Sequence, residues 1–421
     1  MSREGDRDTT ASPVDHGAGR GRLATVAALA CVPLLLLAMS PQLLRGTNIV
    51  EQGDVYKVYY PGALKVRAGL VPYRHFPLEY PLLSLPVVLL PAAFGSNRLV
   101  YEAAFVVEML LINAALIWVV AWEVERSAGR ARLVSRLVWY CLLFAVLSRM
   151  IISRLDLAPT LLAFWSATLW YRGKTGTAGV LAGLGALMKI FPGFVVFPGV
   201  LWEASRAGGR RFRGLIAFVL VMTTGMGAWL AVGGRGAIAS LTYHGERGLE
   251  IGSLYAGILM GIGKVTGWHY SVPFDHGSFN LEGPWAGGLA RLSGFIQLTM
   301  LGLTLGQFAG TGFRSGIRFT LAVLTATIMT AKLLSPQYFI WLLPFVVSLD
   351  GPVGRRARPL YAVICVVTLV IYPTVFDPLT RLSPGAVVLL NVRNLLGLVF
   401  WGLVTFAGDP ARTASEADFS S

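Results

Sequence analysis

The chain has 421 residues, of which 55% are hydrophobic and 14% charged, with a mean hydropathy of +0.63. Soluble domains average about 25% charged residues, so this balance excludes a soluble enzyme and implies a polytopic membrane protein. The formal net charge of +14 would suit a nucleic-acid binder, but the arginines gather in short loops between apolar runs: Arg126, Arg130, Arg132 and Arg136; Arg206, Arg210, Arg211 and Arg213; Arg355, Arg356 and Arg358. That is the positive-inside pattern, which orients helices and touches anionic lipid, so membrane lipids rather than nucleic acid are the expected partners. Cys31, Cys141 and Cys365 each lie within an apolar run, which suggests neither a disulfide framework nor a metal cluster.

Residues 1–23 form a basic tail placed in the cytoplasm. The apolar run behind it has no small-residue cleavage site, so it reads as a retained first span at 24–44 rather than a signal peptide. The first outer loop, 45–98, then carries "GDVYKVYYPGALKVRAGLVPYRHFPLEYP". Residues 82–95 are apolar but hold Pro86 and Pro91, and they are short for a span of about 20 residues. Counting them as a span would put the arginines of 123–136 outside, so they read as a helix lying along the outer surface. Further spans are expected near 99–121, 137–151, 157–171, 177–188, 192–203 and 214–232. A long outer loop follows at 233–286, then spans near 288–309, 318–333, 339–349, 359–375 and 386–406. The tail 407–421 is polar and reads as a disordered cytoplasmic segment. The expected fold is therefore all-α: about twelve spans in one transmembrane domain, 24–406, with both termini cytoplasmic in the cell membrane.

This topology collects the polar chemistry on the outer side. Asp54 is placed to accept a proton from a hydroxyl, although a solvated loop aspartate has the same spacing. Tyr56, Tyr59, Tyr60, Tyr73 and Tyr80, with His75, offer faces and polar groups that suit a sugar ring; a membrane-interface belt is the competing reading. Glu79, just before Pro81, is either a second carboxylate for an acceptor or a charge favoured at a helix N-terminus. Lys189, in "GALMKIFPG", suits a lipid-linked phosphate; a lysine snorkelling at a helix end is the competing reading. His244 and Arg247, three apart in "YHGERGLEIGS", would share a helical face as a phosphate clamp or as part of an ion pair ordering the loop. Arg154 and Asp156 in "SRLD", Glu250, and Gln337 with Tyr338 in "SPQYFIW" complete the candidates. There is no metal-ligand spacing, Walker loop, dinucleotide fingerprint or nucleophile elbow, so no metal, cofactor or nucleotide is expected.

In this order the stretches "GDVYKVYYPGALKVRAGLVPY", "EYPLLSLPVVLLP", "SRLDLAPTLLAFW", "AGVLAGLGALMKIFP", "YHGERGLEIGSLYAGIL" and "LLSPQYFIWLLPF", spanning about 50–346, resemble glycosyltransferase family 87. These are polytopic C-type glycosyltransferases that include polyprenyl-phosphate-mannose-dependent mannosyltransferases. The resemblance implies an aspartate base in the first outer loop, matching Asp54, and a polyprenyl-phosphate-linked sugar as donor substrate. It implies transfer to a lipid or glycan acceptor outside the membrane; mannose is the family default and arabinofuranose an alternative. Leu82 stands where such members often carry a second proline. Lys189, His244, Arg247 and Gln337 match recurrent family positions; their role at the donor phosphate, shared with Tyr338, is inferred. The rival readings are a lipid or sugar transporter or flippase, which would want charges near the midplane, and a non-catalytic envelope scaffold.

Overall fold

The computed structural model describes residues 16–44, 53–206, 212–310 and 315–408, so most of the expected tails, the start of the first outer loop, part of the 206–213 arginine loop and residues 311–314 lie outside the described residues. The chain is helical almost throughout, with one small three-stranded sheet. Among the described residues, six helices are long and apolar enough to cross a membrane. They lie within His16–Leu44, Arg98–Ala128, Arg130–Ser153, Arg213–Gly233, Ala286–Gly310 and Pro384–Phe406. Shorter apolar helices cover Leu157–Trp170, Gly316–Met329 and Pro336–Ser348. The expectation of about twelve spans thus meets six helices of spanning length and several shorter ones.

Proline accounts for much of the shortening. It removes a backbone donor and crowds the preceding turn. Residues 82–94 therefore form 3₁₀, α and 3₁₀ pieces in succession, with Pro86 and Pro91 each in the first turn of a new piece. Phe191–Val195 and Pro336–Leu342 are likewise short 3₁₀ segments leading into α-helices. The Gly351–Leu369 helix carries Pro359 and passes into a kinked turn at Tyr372.

Small residues set the closest helix contacts. A Cβ at Gly179 of the Thr175–Ala186 helix would sit 2.0 Å from the carbonyl oxygen of Gly214, so only glycine lets that helix reach Arg213–Gly233. The main core is continuous through the long helices and includes Phe105, Tyr140, Phe164, Trp170 and Phe339, all buried.

At one end of the Arg130–Ser153 helix lie ion pairs. Arg132 and Arg136 meet Asp350, and nearby Arg172 meets Glu123. The arginine-rich side is thus laced with carboxylates, not arginine and glycine alone. At the other end are Arg154 and Asp156. The helix has 24 residues, which places the two ends about 36 Å apart.

The segment expected as a long outer loop, 233–286, is structured. It holds the helices Arg235–Glu246 and Leu254–Thr266 and three strands, β1 (Leu249–Glu250), β2 (Phe274–Asp275) and β3 (Ser278–Leu281), paired antiparallel in the order β1-β3-β2. A second apolar cluster around Ile251, Leu259, Leu281 and Leu390 packs this unit against the last helix. Buried Arg393 donates to the Gly252 carbonyl at 2.6 Å and Asn394 to Ser253 at 3.2 Å, which fixes where the segment docks.

Candidate active site

The site forms where four helix junctions meet: residues 53–60, 153–157, 186–191 and 335–341. Gly53 presses against the end of the Arg130–Ser153 helix. A Cβ there would lie 2.6 Å from the Ser153 Cβ and 2.9 Å from its carbonyl oxygen. This approach brings Asp54 to Arg154. Arg154 pairs with Oδ2 of Asp54, and the Tyr80 hydroxyl donates to the same oxygen. Burial raises the Tyr80 phenol well above its ordinary pKa, so it remains a donor at any working pH.

Two residues on, Asp156 is fully buried and serves different partners. Its carboxylate accepts from Lys189 Nζ at 2.8 and 2.9 Å and from Trp341 Nε1 at 2.6 Å. Burial pulls the Lys189 ammonium below its ordinary pKa, while Asp156 pushes it back up. Lys189 also faces three rings, Tyr80, Tyr338 and Trp341, at 5.9, 5.7 and 5.5 Å. Trp341 is held between Phe191, stacked at 3.9 Å, and Tyr338 at 4.1 Å. Lys189 is therefore a part-buried, paired cation in an aromatic cage rather than a snorkelling one.

A third group lies beside these. Arg247 approaches Glu79 at 3.6 Å and donates to the His276 carbonyl at 2.8 Å, and the Tyr243 hydroxyl donates to Glu79 at 3.3 Å. The helix stops at Glu246, so Arg247 follows in extended backbone and does not share a helical face with His244. The side chain of His244 lies outside the described residues. Lys332 donates to the carbonyls of Gly245 and Arg247, each at 2.7 Å, and so holds this turn.

An open cavity of about 740 Å³ lies against the second and third groups. Its wall shares Tyr338 and Trp341 with the Lys189 cage and Arg247 and Lys332 with the third group, and Phe191 and Phe194 give it an apolar flank. The cavity wall thus offers the cations Arg247 and Lys332 and the aromatic faces of Tyr338 and Trp341 beside a largely apolar flank. Such a surface can take a charged head on an apolar tail. Among the described residues, no three His, Cys, Asp or Glu side chains converge as metal ligands.

No protein-family model matches the chain, and no curated protein matches it. The function must therefore be read from the site.

The remaining candidates divide. Tyr73 donates to the Tyr80 carbonyl at 2.7 Å and packs on Trp229, so it positions Tyr80. Tyr56 lies under the Arg98 guanidinium, and Tyr60 donates to the Ser96 carbonyl at 2.9 Å; neither joins the Asp54 group. His75 is exposed and accepts from its own turn at Val71. Gln337 is buried beside Tyr338. Sequence reasoning assigned Trp341 no defined role and did not separate Tyr59 from its neighbouring tyrosines. Tyr59 is fully buried, packs edge-on to Tyr80 and accepts from the Leu155 amide at 3.4 Å. Trp341 was within the quoted "SPQYFIW" stretch, but nothing in that stretch paired its indole N–H with Asp156.

Glu250 has a structural task. It accepts from the Leu334 amide at 2.8 Å and so ties β1 to the 335–341 turn. Burial raises its pKa from 4.5 to about 7, with Leu334 and Arg393 opposing. The folded state therefore holds the proton where the unfolded chain has lost it. Stability is full below about pH 4.5 and falls as pH rises toward 7. Thermal unfolding in detergent is expected to show that decline, and Glu250→Gln, which mimics the protonated acid, is expected to flatten it. An unchanged slope in Glu250→Gln would assign the pH dependence to another group.

Proposed function

We propose that the chain is a membrane glycosyltransferase that moves a sugar from a polyprenyl-phosphate donor to a hydroxyl acceptor on the outer face of the membrane. The observation that carries this reading is the convergence of the Asp54 carboxylate, held by Arg154 and Tyr80, with the Lys189 cage, whose Tyr338 and Trp341 share a cavity wall with Arg247 and Lys332. Asp54 takes the proton of the acceptor hydroxyl. The acceptor oxygen attacks the anomeric carbon, and the carbon–oxygen bond to the phosphate breaks with its electron pair on the leaving oxygen. A single displacement of this kind inverts the anomeric centre. Lys189, Arg247 and Lys332 supply positive charge where the phosphate gains its second negative charge. Tyr80, Tyr338 and Trp341 offer faces to the sugar, and Phe191 and Phe194 offer apolar surface to the first isoprene units. The motif order resembling glycosyltransferase family 87 supports the same reading, with mannose as the first sugar to test.

The donor test uses purified protein in liposomes. Transfer is expected from polyprenyl-phosphate mannose and not from a nucleotide sugar; activity with the nucleotide sugar alone would reject the proposal. Sidedness follows from the positive-inside rule. In a cysteine-free background, cysteine at exposed Thr266 is expected to react with an impermeant reagent in intact cells, and cysteine at exposed Lys174 only after lysis. The reverse pattern would move the site to the cytoplasm.

Gly53→Ala tests the placement of the base without touching its chemistry. The added methyl displaces either Ser153 or the Asp54 backbone, and a misplacement near 1 Å costs about 10²-fold in rate. A fall of about 10- to 100-fold in transfer, with the protein still monodisperse, is expected; unchanged transfer would show that the Gly53–Ser153 contact does not set the base.

A further inference from the structure

We propose that Arg154 is a switch between the base and the donor: the donor's phosphate draws its guanidinium off Asp54, so donor binding creates the base and the donor binds before the acceptor. This rests on the sugar-transfer reading above. As it stands in the structure, Asp54 is a poor proton acceptor. Its Oδ2 atom carries both the Arg154 guanidinium and the Tyr80 hydroxyl, and each favours the ionised, unprotonated carboxylate. Something must remove one of them before Asp54 can act.

Arg154 is the partner built to leave. It occupies the extended residue between the end of one helix and Asp156, the residue before the next, at φ −143° and ψ 150°. Its side chain lies within electrostatic reach of Asp156, Tyr338 and Arg247. Tyr338 and Arg247 line the cavity, so Arg154 pairs with Asp54 on one side and neighbours two cavity-wall residues on the other. The other cations have separate anchors. Lys189 is neutralised by Asp156, and Arg247 is held by the His276 carbonyl and Glu79. Arg154 pairs directly with Asp54, and the other nearby carboxylate, Asp156, is itself taken by Lys189.

The charge balance of the reaction fits this arrangement. When the acceptor O–H breaks, its proton goes to Asp54, which ceases to be an anion. The new bond forms between the acceptor oxygen and the anomeric carbon, and the departing phosphate becomes a dianion. Arg154 thus loses its counter-charge as the phosphate gains one. A cation that moves from the first to the second stabilises both changes, whereas one fixed on Asp54 would oppose the proton transfer.

The test is the affinity of the full, detergent-purified chain for undecaprenyl phosphate, which lacks the sugar. Asp54→Asn frees Arg154 and is expected to tighten binding about tenfold, the size of one charge-assisted contact. In the Arg154→Gln background the same Asp54→Asn change is expected to bring no gain. Arg154→Lys replaces Arg154→Gln if the latter is not monodisperse, with a reduced gain expected. If Asp54→Asn binds no tighter than wild type, or if the gain persists without Arg154, the switch is refuted and the sugar-transfer reading stands. If wild type does not bind undecaprenyl phosphate, both are refuted.

Discussion

Asp54→Asn is expected to lower single-turnover sugar transfer by about 10²–10⁴-fold, the usual contribution of a positioned general base. The amide keeps the shape of the side chain, and its oxygen still accepts from Tyr80, so the local fold has little reason to change, while the loss of the negative charge releases Arg154. What disappears is the ability to take a proton. Because Arg154 is then free for the phosphate, the loss should fall on turnover while the donor binds more tightly. That split separates a base from a residue that merely holds the site together. Glu79→Gln is the control. Glu79 lies in the same loop but belongs to the Tyr243–Arg247 group, and its loss is expected to leave turnover close to wild type. Near-normal turnover in Asp54→Asn with a dead Glu79→Gln would transfer the role to Glu79.

Asp156→Ala is expected to cost about 3–5 kcal/mol of stability, the penalty for breaking a buried ion pair by removing one partner. Asp156 is fully buried and carries three donor contacts, two from Lys189 and one from Trp341. Its removal strands an ammonium inside the protein and frees the indole that completes the aromatic cage. The measurement is the thermal unfolding midpoint in detergent beside transfer activity. A double change, Asp156→Leu with Lys189→Met, is expected to restore much of the stability, because a buried pair replaced by apolar groups is often neutral. Activity is not expected to return with it. Recovery of both would mean that the pair is architectural and takes no part in the reaction.

The elements that make up these groups were unevenly legible in the sequence. The apolar runs and arginine loops located the long helices, closely at Pro384–Phe406 against the expected 386–406, but Arg98–Ala128 and Arg130–Ser153 run well beyond the expected 99–121 and 137–151 into the arginine-rich side. The polar candidates Asp54, Tyr80, Arg154, Asp156, Lys189 and Tyr338 do converge. What stayed hidden was the division of labour. Arg154 and Asp156 are two apart in "SRLD", yet one meets Asp54 and the other Lys189, because the chain leaves its helix extended at Arg154 and turns helical again at Asp156. The tyrosines of 56–60 were also inseparable. The turn Val55–Tyr59 is a π-helix, so its register does not follow the 3.6-residue period, and Tyr59 is the tyrosine that faces inward. Residues 233–286 read as a loop because their helices are short and their strands only two to four residues long. Their order comes from packing on the last helix, which local pattern does not encode.

The central claim is a direct displacement driven by Asp54, and the configuration of the transferred sugar tests it most directly. With a polyprenyl-phosphate sugar of defined anomer and purified wild-type protein, NMR of the product is expected to show the opposite anomer. Retention of the donor's configuration would require a covalent sugar–protein intermediate and would contradict Asp54 as the base for the acceptor.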